Sequence, residues 1–285
     1  MIDKKVFESH DEKAWCPGCG NHGILEALKQ ALAELGKEPH EVVIASGIGQ
    51  AAKTPHYINV NGFNGLHGRA IPPAVGAKIA NKELTVIINS GDGDSYGEGG
   101  NHLLHNIRRN VDITHFVHDN QIYGLTKGQA SPTTAQGQTT SIQTGGVVVN
   151  PLNPLAFAIS LGCTFVARSF AGDKDHLVPI MKAAIQHKGY ALVDILQPCV
   201  VFNKVNTYQW YKERVYHLDE GYDVTNKMAA FQKSYEWNEG IPMGIIYQEE
   251  KETYIDRVAT LRDGSPLVNR TLDPKKAERF LEDFR

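Results

Sequence analysis

The stretch Leu84-Thr85-Val86-Ile87-Ile88-Asn89-Ser90-Gly91-Asp92-Gly93-Asp94 decides the fold. Residues 84–88 are an almost unbroken apolar run, the pattern of a strand buried on both faces of a parallel sheet. The run stops at a Gly-Asp-Gly turn. A helix is expected from roughly Gly97 to Arg109, a second strand from Ile113 to Val117, and Asn120 follows just beyond it. A strand, a crossover helix and a parallel strand place Asp92 and Asn120 at neighbouring carboxyl ends, where open α/β sheets bind ligands. The residue types suit a magnesium-bound diphosphate. Magnesium takes hard oxygen ligands in an octahedron. Asp92 offers a carboxylate oxygen, Asn120 an amide oxygen and Ile122 a backbone carbonyl, with phosphate and water left to fill the rest. The glycines allow close backbone approach, and the following helix N-terminus offers amide donors to the anion. An isolated Gly-Asp-Gly is an ordinary tight turn. Here the strands, the helix between them and the spacing agree.

Outward from this unit the alternation continues. Ile24, Leu25, Leu28, Ala31, Leu32 and Leu35 recur at helical spacing within residues 21–36, and Gly36 provides a stop. Val42-Val43-Ile44 reads as a strand ending in the glycine-rich turn Ser46-Gly47-Ile48-Gly49, and Pro72 to Asn81 reads as a helix. Beyond Tyr123, residues to about Thr144 are polar and rich in Gly, Ser, Thr and Gln, which reads as a long functional loop. Helices are then expected over Pro154 to Leu161 and His176 to His187, and strands over Thr164 to Ala167 and Ala191 to Leu196. The fold class is α/β: a mostly parallel sheet with helices on both faces. From about Gln197 the apolar periodicity weakens. Residues 1–199 are expected to form the ligand-binding domain with an N-terminal cysteine segment, and 200–285 an extension packing on the domain or on a partner.

A chain of 285 residues can bury a cofactor site without disulfides. A formal net charge of −3 gives no electrostatic footprint for nucleic acid or an anionic membrane. The charged N-terminus lacks a signal-peptide core, and no apolar run is long enough to span a bilayer. A cytoplasmic location is the expectation. Of four cysteines, Cys16 and Cys19 form a C-x-x-C, which in a reducing compartment suggests metal or redox chemistry.

The spacing of Gly91-Asp92-Gly93 and Asn120 resembles the thiamine-diphosphate motif. The wider context resembles the beta subunit of 2-oxoacid:ferredoxin oxidoreductases, of the 2-oxoglutarate type. It rests on Trp15-Cys16-Pro17-Gly18-Cys19-Gly20, His67-Gly68-Arg69, Asn101-His102, Arg108-Arg109-Asn110, the run Asp119 to Gln129, Ser131-Pro132-Thr133 and Pro198-Cys199. The likeness is dense from about residue 12 to 205 and looser beyond. It implies a thiamine-diphosphate-binding fold, with magnesium on Asp92, Asn120 and the Ile122 carbonyl. Gly93, Asp94, Gly124 and Leu125 would line the coenzyme. Ile48, Gly49 and Gln50 would approach it from the first glycine-rich turn, with His67 and Gly68 beside it. In such enzymes the coenzyme's carbanion attacks the keto carbon of a 2-oxoacid, carbon dioxide leaves, electrons pass singly through an iron–sulfur centre to ferredoxin, and coenzyme A takes the acyl group. The glutamate that activates the coenzyme lies on the alpha subunit of two-subunit members. This chain is therefore expected to work only with an alpha subunit, in an (αβ)2 assembly.

The family's [4Fe–4S] cluster uses four cysteines of this subunit. Cys16, Cys19 and Cys199 match; the fourth position reads Gln50. An amide is a poor ligand for sulfide-bridged iron, which prefers thiolate. Three readings stand: a cubane with a fourth ligand such as Gln50 or water, a three-iron cluster, or loss of the cluster with Cys16 and Cys19 left as a relic or a zinc site. Cys163 reads as a small buried hydrophobe. His102, His105, His115 and His118 read as structural or cofactor-adjacent rather than as a metal cluster.

By the same resemblance, Lys53 and Lys127 face the substrate alongside His67, where a second carboxylate such as that of 2-oxoglutarate would need a cation. Two other functions fit the motif: a non-oxidative thiamine-dependent decarboxylase, and a non-catalytic electron-transfer or assembly subunit. Intact Asp92 and Asn120 argue against the latter. Lys127→Ala is expected to lower use of 2-oxoglutarate more than use of pyruvate in steady-state kinetics; equal loss of both would remove the assignment.

Overall fold

The computed structural model describes residues 2–271, 273–282 and 284. Its centre is an eight-stranded sheet: β1 (Val42–Ser46), β2 (Asn61–Asn64), β3 (Thr85–Gly91), β4 (Ile113–Asp119), β5 (Phe165–Phe170), β6 (Tyr190–Leu196), β7 (Val215–His217) and β8 (Ile241–Gln248). The spatial order is β2-β1-β3-β4-β6-β5-β8-β7. The first six strands are parallel, β8 runs antiparallel to β5, and β7 is parallel to β8.

Side chains alternate across the sheet, so each strand feeds two cores. On one face α1 (Gly20–Glu34) and the later helix Lys174–Gln186 set Ile24, Leu28, Leu32, Leu177 and Met181 against Ile44, Ile87, Phe116 and Val193. On the other, α2 (Ile71–Ala80), α3 (Gly100–Arg109) and α4 (Pro154–Ser160) set Ile71, Leu103, Ile107 and Ile159 against Val86, Ile88, Val117 and Leu192. The helix Lys174–Gln186 is α5; α6 (Tyr208–Lys212) and α7 (Lys227–Ser234) follow it. β4 and β6 are buried at every position; β6 accordingly reads as a nearly continuous apolar run, whereas β4 also buries Thr114, His115, His118 and Asp119.

Two features depart from the sequence pattern. The crossover from β3 does not begin as an α-helix: Gly93–Glu98 form a π-helical turn, with Gly99 N donating to Asp94 O, and α3 starts only at Gly100. Such widened turns are uncommon and collect at functional sites. The sheet also continues into the C-terminal part, because Ile241-Pro242-Met243-Gly244-Ile245-Ile246 forms β8 despite its proline and glycine. Its partner β5 is irregular between Val166 and Ala167, where the register shifts.

Asn110 ties these parts together. It ends α3 in the left-handed conformation (φ 51°). Its Oδ1 accepts from Thr164 Oγ1 (2.8 Å) and Tyr190 N (2.9 Å), and its Nδ2 donates to Lys251 O (3.2 Å) and Glu252 O (3.1 Å). Asn110→Ala is expected to cost about 3 kcal/mol, since buried partners are left unpaired. Asn110→Gly should cost roughly 1 kcal/mol less, because glycine keeps the left-handed backbone. Urea unfolding of the two variants measures both values; equal effects would mean that backbone conformation contributes nothing.

Candidate active site at the carboxyl edge of the sheet

The strand register builds the site. Gly91 pairs with His118 across β3 and β4, and Asp119 with Leu196 across β4 and β6. Asp92, Asn120 and Gln197 therefore leave the sheet side by side, about 4.8 Å apart per strand. The turn after β4 is a pair of side-chain-closed loops. Asp119 Oδ1 accepts from Gln121 N (3.2 Å) and Asn120 Oδ1 from Ile122 N (3.0 Å), while Gln121 adopts φ 57°. These bonds fix the Asn120 amide and leave a second lone pair on its oxygen.

Asp92 is 1% exposed and Asp119 2% exposed. The Thr133 hydroxyl lies 2.7 Å from Asp92 Oδ2 and 2.8 Å from Asp119 Oδ1. A hydroxyl has one proton, so both contacts are satisfied when one carboxyl is protonated and donates back. Burial, then Asp194 and Asp92, push Asp119 well above the usual carboxylate range. Asp92 is raised as well, mainly by burial, to about 6. Asp194, raised mainly by burial, accepts from Tyr96 Oη (2.9 Å) and has Arg168 Nε at 3.6 Å. Three buried carboxyls thus share one buried cation. That deficit of positive charge, next to the oxygens of Asp92 and Asn120, is what a divalent cation would fill.

One cleft over this edge is lined by Ile48, Gly49, Gln50, His67, Asp92, Gly93, Asp94, Asn120, Ile122, Gly124 and Leu125. The structure thus brings together residues from four separate segments that the sequence singled out. Tyr123 and Thr126 also line the cleft and were not singled out, although both lie inside the motif run. Asp94 sits in the wall. Its Oδ1 accepts from Ile48 N (3.0 Å) and Gly68 N (2.7 Å), and its Oδ2 from the Ser90 hydroxyl. It pins the first glycine-rich turn to the His67-Gly68 turn, and Gly68 acts through it. A Cβ on Gly47 would stand 2.2 Å from Asp94 Oδ2, and one on Gly93 would stand 2.2 Å from Tyr123 Cε1; only glycine permits either approach. His67 packs edge-on to Tyr123, with Nε2 3.7 Å from Asp94 Oδ1 and 3.5 Å from Glu98 Oε2. Lys53 and Lys127 are not among the lining residues. Lys127 is exposed, at φ 75°, one position beyond Thr126.

A second cleft adjoins the first. Trp15, Cys16, Cys19, Gln50, Asn120, Gly124, Gln197 and Cys199 line it, with Val200, Val201 and Phe202. The N-terminal segment is held there by Trp15, whose Nε1 donates to Gln50 O (2.8 Å) and whose ring meets Tyr57 edge-on at 4.7 Å. Cys19 precedes α1, and Gln197 Nε2 donates to its sulfur (3.4 Å). Burial, with Cys199 and Cys16 as lesser causes, pushes the Cys19 thiol up to about 11. Gln50 Oε1 is buried and accepts no hydrogen bond among the described residues. A buried, unpartnered amide oxygen is unfavourable by about 1–3 kcal/mol. Among the described residues, no three His, Cys, Asp or Glu side chains converge on a single-ion site. Cys16, Cys19 and Cys199 line this cleft together. The Asp92 and Asn120 site lies outside such a count because its other donors are an amide and a carbonyl.

His115 and His118 are core residues. Burial lowers both to about 3, so both are neutral. His118 bridges Asn21 Oδ1 (2.7 Å) and Asn89 Nδ2 (3.0 Å), and His115 bridges Tyr190 Oη (2.9 Å) and Ser95 Oγ (3.0 Å). Cys163 is fully buried. Among the described residues, no helix is long and apolar enough to cross a membrane.

Comparison with known proteins finds two matching families. Residues 40–195 match the thiamine pyrophosphate enzyme, C-terminal TPP binding domain, and residues 199–263 match the C-terminal family of the pyruvate ferredoxin oxidoreductase beta subunit. The chain is 44% identical to 2-oxoacid:ferredoxin oxidoreductase 1, subunit beta, of Aeropyrum pernix, over 95% of this chain and 94% of that one. It is 49% identical to the 2-oxoacid:ferredoxin oxidoreductase subunit beta of Saccharolobus solfataricus, over 86% and 85%. It is 44% identical to the 2-oxoglutarate oxidoreductase subunit KorB of Mycobacterium tuberculosis, over 70% of this chain and 53% of that one. A solved 2-oxoglutarate:ferredoxin oxidoreductase from Magnetococcus marinus, with 2-oxoglutarate, coenzyme A and succinyl-CoA bound, superposes with a TM-score of 0.92 at 35% identity, covering 98% of this chain and 96% of that one.

The raised Asp92 carboxyl gives a pH prediction. Its folded value, about 6, lies above its ordinary 3.8. In the ligand-free chain, the stability this group confers is therefore complete below 3.8 and lost as pH rises through about 6. Cation binding needs the ionised form and runs the other way. Thermal stabilisation by magnesium and thiamine diphosphate together should be larger about one unit above pH 6 than about one unit below it. Asp92→Ala should abolish the stabilisation at both; an unchanged shift in the variant would remove Asp92 from the site.

Proposed function

Because the chain belongs to the beta subunits of 2-oxoacid:ferredoxin oxidoreductases, we propose that it carries out, with its alpha subunit, the oxidative decarboxylation of 2-oxoglutarate to an acyl-coenzyme A. The observation that carries this reading is the shared cleft wall. Asp92 and Asn120 emerge side by side next to a cluster of buried carboxyls short of positive charge, and three cysteines adjoin them. The choice of 2-oxoglutarate draws on the KorB relatives and on the ligands of the Magnetococcus marinus enzyme.

Thiamine diphosphate, when bound, supplies the carbon nucleophile and the electron sink for the decarboxylation. The chain's residues provide the setting. Asp92, Asn120 and the Ile122 carbonyl would hold magnesium against the diphosphate. Gly93 and Gly124 keep the backbone low beneath it. Ile48 and Leu125, both more than a third exposed, offer apolar surface at the mouth. Asp94 fixes the turns carrying Ile48 and Gly68, and His67 stands beside them. Lys53 and Lys127 are proposed to face the second carboxylate of the substrate; Lys127 follows Thr126, which lines the cleft. Cys16, Cys19 and Cys199 would hold an iron–sulfur cluster that passes electrons to ferredoxin. Residues 1–199 are taken as the coenzyme-binding part and 200–285 as an extension that completes the sheet and faces other subunits of an (αβ)2 assembly. The cysteine-lined cleft favours this oxidative reading over a non-oxidative decarboxylase.

The test is anaerobic co-production with the alpha subunit. The purified complex should contain thiamine, iron and acid-labile sulfide, and should reduce ferredoxin when given 2-oxoglutarate and coenzyme A. Asp92→Ala should still pair with the alpha subunit but bind thiamine diphosphate at least ~100-fold more weakly, since its removal leaves the cation without its anionic ligand. Release of a free aldehyde without ferredoxin reduction would support the decarboxylase instead.

A further inference from the structure

Gln50 stands at the seam of the two clefts and lines both. Its backbone is pinned, with its carbonyl accepting from Trp15 Nε1 (2.8 Å) and Lys53 N (3.4 Å). Its side chain cannot withdraw with the loop. A point built as a Cβ over Gly124 lies 3.9 Å from Cys199 Sγ and 4.0 Å from Gln50 Cγ, so the two side chains converge over that glycine. The amide oxygen is buried with no donor among the described residues, and Gln50 lines the cleft together with Cys16, Cys19 and Cys199. Three soft donors and one hard donor surround one cleft, and the hard donor occupies the wall shared with the coenzyme.

We propose that Gln50 supplies the fourth corner of the cluster, so that one iron, the one facing the coenzyme cleft, is bound by an amide oxygen and is exchangeable. This rests on the reading that the three cysteines hold an iron–sulfur cluster. A neutral oxygen binds sulfide-bridged iron more weakly than a thiolate does. One-electron oxidation of [4Fe–4S]2+ gives [4Fe–4S]3+, which sheds Fe2+ from its weakest corner and leaves [3Fe–4S]+; charge and atoms balance. Ferrous iron and one electron from a reductant reverse the step. Replacing a thiolate by a neutral ligand also makes the cluster less negative, so its reduction potential lies above that of the same cluster with four thiolates.

The experiment uses the anaerobically purified complex with its alpha subunit, with Gln50→Cys and Gln50→Ala beside the unsubstituted protein. Each is treated with ferricyanide, then with ferrous iron and dithionite. Iron and sulfide are counted, low-temperature EPR records the three-iron signal, and a redox titration gives the potential. The unsubstituted protein should lose one iron in four on oxidation, show the three-iron signal and regain the iron. Gln50→Cys should keep all four and titrate at a lower potential. Gln50→Ala should already lack the fourth iron as purified. Four irons held as firmly as in Gln50→Cys would overturn the proposal, and so would Gln50→Ala behaving like the unsubstituted protein. Absence of iron and sulfide from all three would instead overturn the cluster reading itself.

Discussion

Asp92, Asp119 and Asp194 are all raised by burial, Asp194 adds to the rise at the other two, and the buried Arg168 pairs with Asp194. Their position follows from parallel strand register, which aligns the ends of β3, β4 and β6. Their protonation follows from burial, and Thr133 gives Asp92 and Asp119 a shared hydroxyl partner. A carboxylate that is costly to ionise when buried becomes a strong ligand beside a divalent cation.

The cleft above this cluster is built like half of a site. Its floor and one wall are rigid: Asp94 ties two turns, Tyr123 packs on Gly93, and Trp15 clamps the N-terminal segment to the first turn. Its mouth carries the exposed apolar side chains of Ile48 and Leu125. That arrangement suits a chain whose relatives are one subunit of a larger enzyme.

Much of this was legible in the residues. Apolar runs such as Val86-Ile87-Ile88 announce strands buried on both faces, and the Gly-Asp-Gly turn followed by Asn120 announces two polar side chains at neighbouring strand ends. The tight turns at residues 47–50, 67–68 and 124–125 could be placed beside it only through resemblance, because periodicity says nothing about which loops meet. Asp194 and Arg168 escaped notice, and Thr133 stood only within a quoted motif with no role given, for a related reason: their contacts join segments distant in sequence. The π-helical start of the crossover was hidden because Gly97, Gly99 and Gly100 are compatible with several helix types. β8 was hidden because Pro242 and Gly244 read as breakers; in the sheet Pro242 lies opposite Tyr216 of β7 and Gly244 opposite Arg168 of β5.

The four bonds of the Asn110 side chain span very different distances along the chain, reaching Thr164, Tyr190, Lys251 and Glu252. During synthesis the amide oxygen finds its partners well before the amide nitrogen does. The early α/β units can collapse while the ribosome is still at work. The joint between α3, β5 and β6 stays half-made until residue 252 has emerged. A truncated product would carry a nearly complete coenzyme cradle on an unfinished scaffold, a state that cellular proteolysis is well placed to recognise and clear.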